Sequence, residues 1–198
     1  DRGELNVVMV FVDWADSPGS IEDREFYRQQ GQLFEDFWWM ASEQKLDVRM
    51  KYSDEWFRMT GSHLDVSTRF DEELQLGDAP KKRLFFDSAV AASDAKTDFS
   101  DVDVVLFAIP RGKPVFASGL HIFNTIHNTH LRTAEGDIYN SAVAGNFFLV
   151  NAGQPPWVFY VHEIGHMIGV PHQANEDQNR PGTEKYVVNP LGGWDIMS

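Results

Sequence analysis

The chain carries one segment whose residue types and spacing fit metal chemistry: His162-Glu163-Ile164-Gly165-His166-Met167-Ile168-Gly169-Val170-Pro171-His172. Residues four apart on a helix lie about one turn apart, so His162 and His166 project from the same face. Two imidazoles so placed can each give a nitrogen to one Zn²⁺ at about 2.0–2.1 Å. Glu163 stands next to the first of them, within reach of a water at the metal without being a ligand. A continuing helix would carry His172 off the shared face. Gly169 can take the left-handed conformation that ends a helix, and Pro171 pushes residue 170 to extended geometry. The chain can then turn back and offer His172 as a third ligand. Three histidines leave a fourth position open, the arrangement of a catalytic rather than a closed structural zinc site.

A second signal stands at the end of the sequence, Gly192-Gly193-Trp194-Asp195-Ile196-Met197-Ser198. The extended zinc motif HExxHxxGxxH is paired, in the metzincin peptidases, with a tight turn that sets a methionine beneath the metal. The sequence resembles that clan. HEIGHMIGVPH together with GWDIMS looks most like the bacterial immune inhibitor A-like secreted peptidases. Val12-Asp13-Trp14-Ala15-Asp16-Ser17-Pro18, after the first strand, is similar to the start of their catalytic domains. One position departs: an aspartate commonly stands in that group where this chain has His172.

The resemblance implies one catalytic Zn²⁺ on His162, His166 and His172, with Gly169 at the helix-ending turn and Met197 in the Met-turn. It implies a secreted endopeptidase acting on protein or peptide substrates, with Glu163 as general base and then general acid in hydrolysis by zinc-activated water. The alternative is a non-catalytic, zinc-stabilised protein-binding domain of the same fold. Glu163 discriminates, because a domain that only holds metal has no need of it. Calcium is a further candidate cation: Asp13 with Asp16, or Asn175, Glu176 and Asp177, offer oxygens, although no Asp-x-Asp-x-Asp-Gly loop is present. His121, His127 and His130 cluster in GLHIFNTIHNTH at offsets that match no defensible metal site. His63, beside Gly61, reads as a surface residue.

These residues need elements to hold them. Leu5–Trp14 is a dense valine-rich run that reads as a strand buried on both faces. From Ile21 to Leu46 the pattern is helical, with Phe26, Leu33, Phe34, Phe37 and Ala41 on one stripe. Leu46–Tyr52 alternates as a second strand. Asp71–Leu76 and Lys81–Ala95 read as helices, and Val102–Pro110 as another buried strand. Ser141–Val150 reads as a strand, which in the clan's architecture would receive extended substrate along its edge. Pro155-Pro156 opens a helix to about Ile168, since proline is accepted in a first turn. The expected fold is α/β (α+β), a metzincin-like zincin domain over 1–198. A twisted mixed sheet with long helices occupies about 1–169, with the active-site helix at 155–168. A small irregular C-terminal lobe begins at about 170–198.

Composition bounds the rest. The chain has 198 residues, 42% of them apolar and 24% charged, with 15 Phe and 6 Trp. That supports one compact domain with a sizeable core. Seventeen Lys and Arg against 30 acids leave a net charge of −13, which argues against nucleic acid as a partner. No apolar run has the roughly 18–20 residues of a membrane span. Cysteine is absent, which excludes disulfides, thiolate zinc sites and cysteine nucleophiles. Oligomeric state is not legible. With Asp1 first and Met197 next to the last residue, the native polypeptide is expected to be longer than these 198 residues.

Overall fold

The computed structural model describes residues 2–67, 79–112, 130–144 and 155–168. In chain order the elements are β1 (Gly3–Asp13), α1 (Ile21–Ala41), β2 (Leu46–Tyr52), β3 (Phe57–Arg58), α2 (His63–Val66), α3 (Ala79–Ser93), β4 (Val104–Ala108), β5 (Leu131–Arg132), β6 (Asp137–Ile138), β7 (Ser141–Ala144) and α4 (Pro156–Met167).

The sheet runs β2-β1-β4-β7, and every pairing along it is parallel; β3 pairs in parallel with the end of β1. The fold is therefore α/β with a mostly parallel sheet. The antiparallel pairing expected of a mixed sheet is confined, among the described residues, to the β5–β6 hairpin and a single Trp14–Ser17 bridge. Parallel neighbours need crossovers, which is why helices alternate with strands.

The central strands are covered on both faces, as their continuous apolar runs require. Residues Val7 to Asp13 of β1 are all buried, as is the whole of β4. Phe11 meets Tyr27 of α1 at a ring separation of 6.3 Å. Val10 is in register with Phe107, so Phe107 faces the other side of the sheet, where it packs edge-on against Phe85 and Phe86 of α3. One layer is thus α1 with α4, and the other is α3.

α1 begins with a capping box. Asp23 N donates to Ser20 Oγ at 3.0 Å, and Ser20 N donates to Asp23 Oδ2 at 3.4 Å. Its buried face corrects the expected stripe. Tyr27, Gln30, Gly31 and Phe34 point inward, Phe26 and Phe37 are only partly buried, Leu33 is 45% exposed, and Ala41 is exposed. The rotation is set by Tyr52 of β2. Its hydroxyl lies where a Cβ on Gly31 would stand, so the helix approaches the sheet through that glycine.

One further expectation changes. His63 is not an open surface residue. Its ring is 16% exposed, lies 6.3 Å from Trp14, and has Nδ1 2.9 Å from Asp16 Oδ2. Over its described part, Ser141–Ala144 pairs with β4 at one end of the sheet, and all four residues are buried. Residues 145–150 and the expected helix Asp71–Leu76 lie outside the described residues.

Candidate metal centre

α4 is built from a two-sided sequence. Trp157, Tyr160, Val161 and Ile164 recur at helical spacing and form the inward face: the last three are buried and Trp157 is partly so. Tyr160 meets Phe34 of α1 edge-on at 6.3 Å, and Trp157 lies 6.0 Å from Phe37. Proline at the first position leaves one fewer orphan donor. Of the remaining donors, Trp157 N reaches the buried Gln30 Oε1 at 3.4 Å and Val158 N donates to Pro155 O at 3.1 Å. The helix is therefore fixed from α1 at its N-terminal end.

At 100° per residue, positions 162 and 166 fall opposite that inward face. The helical backbone is continuous from Pro156 through Met167, so the two positions sit one turn apart as the spacing predicts. His162 is half-buried, its ring 6.2 Å from Phe159 and inclined at 35°. The side chain of His166 lies outside the described residues, as do Gly169, His172 and Met197. Among the described residues no three histidine or carboxylate side chains converge.

Glu163 flanks the inward face and is only 9% exposed. It has no hydrogen-bond or ionic partner among the described residues. Burial disfavours its charged form and pushes its carboxyl up to about 7. This has a sign that can be measured. A carboxyl whose native value is raised stabilises the fold fully below its unfolded value of 4.5, and that contribution is lost as pH rises through about 7. In metal-free protein, Glu163→Gln is expected to match the parent near pH 4 and to be more stable by about 3 kcal/mol above pH 8. Urea unfolding at the two pH values checks this, and equal midpoints at both would refute it.

Among the described residues, the remaining candidates Asp13, Asp16 and His130 each have side-chain partners. Asp13 is 2% exposed and fully committed. Arg58 donates to it through Nε at 2.6 Å and Nη2 at 3.1 Å, and Gly19 N donates at 2.8 Å. Asp16 accepts from the Ser62 hydroxyl, from His63 N and from the His63 ring. The Ser62 bond above all holds its carboxyl down to about 2. These hydrogen bonds tie the 13–19 loop to β3 and to the start of α2. Asn175, Glu176 and Asp177 lie outside the described residues, as do His121 and His127. His130 packs on Tyr139 at 5.8 Å and lies 3.8 Å from Asp137, within its own hairpin.

Sequence reasoning missed Gln30, which ties α1 to α4, and Arg58, which neutralises Asp13. A polar residue on the α1 stripe was the available signal for the first. None of the described helices is long and apolar enough to cross a membrane. The chain matches no protein-family model and no curated protein.

Proposed function

We propose that the chain is the catalytic domain of a zinc-dependent endopeptidase of metzincin type, secreted and acting on protein or peptide substrates. The observation that carries this reading is α4. A continuous helix sets positions 162 and 166 one turn apart, opposite its core face, with the largely buried side chain of Glu163 beside them. Burying a carboxyl is costly, and a carboxyl in such a place beside two candidate ligands is a candidate for function. The donor set also fits zinc, whose sites favour imidazole nitrogen and, when catalytic, take three protein ligands. His162, His166 and His172 would hold the ion, with Gly169 at the turn between the helix and His172, and Met197 below.

When bound, zinc supplies a Lewis acid that acidifies water and polarises a carbonyl. The chain's own part falls to Glu163. Its carboxylate would take a proton from the attacking water and return one to the leaving amine nitrogen. Tyr160, Val161 and Ile164 keep the helix from rotating, so the carboxylate stays aimed. The hold of Gln30 on Trp157 N serves the same end.

Cleavage of casein or a quenched peptide library, with chelator and with zinc restored, tests this reading. Turnover should disappear with chelator and return with zinc. Zinc-loaded protein that cleaves neither substrate would favour the non-catalytic binding domain instead. Activity is also expected to fall on the acid side of neutrality, because ligand imidazoles must be neutral to bind metal. A rate profile flat down to pH 4 would contradict the three-histidine site.

A further inference from the structure

Among the described residues, β2 is the outer strand of the sheet on the side away from β7. Its register with β1 runs from Gly3↔Leu46 to Met9↔Tyr52, and Gly3 N and Ser53 N donate to Lys45 O and Met9 O. Odd-numbered residues of β2 therefore bond to β1, and the backbone groups of Leu46, Val48, Met50 and Tyr52 point away from the sheet. Side chains occupy two of those N–H groups. Ser42 Oγ accepts from Leu46 N at 2.9 Å, and Glu35 Oε1 accepts from Met50 N at 2.7 Å. Val48 lies between them.

A groove of 330 Å³ follows this edge, walled by Gln32, Glu35, Asp36 and Trp39 of α1 and floored by residues 47–50. Glu35, Asp36 and Asp47 give it negative charge. Arg49, which lines it, is already held by Glu4 at 2.7 Å and by Asp47 at 3.0 Å. Burial raises the Glu35 carboxyl from its ordinary value, and the hydrogen bond from Met50 N works the other way. The indole of Trp39 already takes one guanidinium, that of Arg2, 5.4 Å from the ring centre.

We propose that this groove docks an extended polypeptide segment bearing lysine or arginine, which lies along the outer edge of β2 as an added strand. The extended form follows from the edge, where acceptor carbonyls recur at every second residue, the repeat of a strand. The basic character follows from the walls. A second copy of this chain is the wrong occupant, since edge-to-edge pairing would bring Glu35, Asp36 and Asp47 against their equals. The proposal is independent of the zinc site: α4 packs against Phe34 and Phe37, whereas the groove uses Gln32, Glu35, Asp36 and Trp39.

The test is titration of the isotope-labelled full chain with a capped peptide of alternating lysine and valine, beside the same peptide with glutamate for lysine. Peptide integrity is followed by mass. The lysine peptide should shift the amides of Val48 and Met50 and the indole of Trp39, and bind more weakly as salt rises. The glutamate peptide should not bind. The double variant Glu35→Gln, Asp36→Asn keeps an acceptor for Met50 N and should weaken binding by roughly tenfold or more. Equal affinity for both peptides, unchanged affinity of the variant, or shifts confined to residues 157–168 would overturn the proposal. So would a concentration-dependent dimer that shifts the same edge amides without peptide, which would assign the groove to self-association.

Discussion

Replacing Glu163 by alanine is expected to reduce peptide-bond cleavage by about 10²–10⁴-fold while zinc content and fold persist. The magnitude is that of a positioned general acid–base group. The direction follows from the chemistry: alanine leaves all three imidazoles in place and removes only the group that moves protons. The fold should survive because the lost carboxyl has no partner among the described residues and costs the metal-free chain free energy at neutral pH. Turnover of a quenched peptide, metal analysis and urea unfolding on the same sample separate the three effects. Activity within about tenfold of the parent, or about 1.4 kcal/mol in the barrier, would remove Glu163 from the mechanism. Glu163→Gln serves as the second variant: it keeps the shape and hydrogen-bonding capacity of the side chain but cannot shuttle the proton, so it should be equally inactive.

The parts of the fold that read cleanly from sequence are those with long, one-sided patterns. β1 and β4 are dense apolar runs because both faces of a central parallel strand are covered, and their positions follow directly. β2 alternates because it is an edge, and its bounds agree to the residue. α4 shows its proline start and its core stripe. The face of α1 was less legible because apolar content alone cannot show rotation. Phe26 and Phe37 are large enough to be partly buried from the flank, while the inward line holds Gln30 and Gly31, which no apolar pattern marks. Gln30 is there for its contact with α4, and Gly31 for the Tyr52 hydroxyl. Both reasons are tertiary. β3, β5 and β6 have two residues each, too short for any period. Asp13 looked available as a ligand because its neutralising partner, Arg58, stands 45 residues away.

His172 to alanine is expected to lower zinc affinity by several orders of magnitude, whereas His130 to alanine should leave it unchanged. The contrast rests on different kinds of surroundings. His130 is accounted for within its hairpin: its ring packs on Tyr139 and faces Asp137, and its carbonyl accepts from Arg83. Removing it disturbs a surface contact worth little. His172 follows a glycine and a proline, residue types that favour ending a helix and turning the chain, which on the proposed reading returns a third imidazole toward positions 162 and 166. Removing one of three protein ligands takes away a metal–nitrogen bond, whereas even loss of an outer partner that merely orients a ligand costs about 10–100-fold. Zinc retained after dialysis against graded chelator concentrations reads the difference directly. The same series on His162→Ala calibrates the loss of a ligand already placed on the helix. Equal retention by the His172 and His130 variants, with loss only in the His162 variant, would reduce the site to the helix pair and require the third ligand to come from elsewhere in the chain.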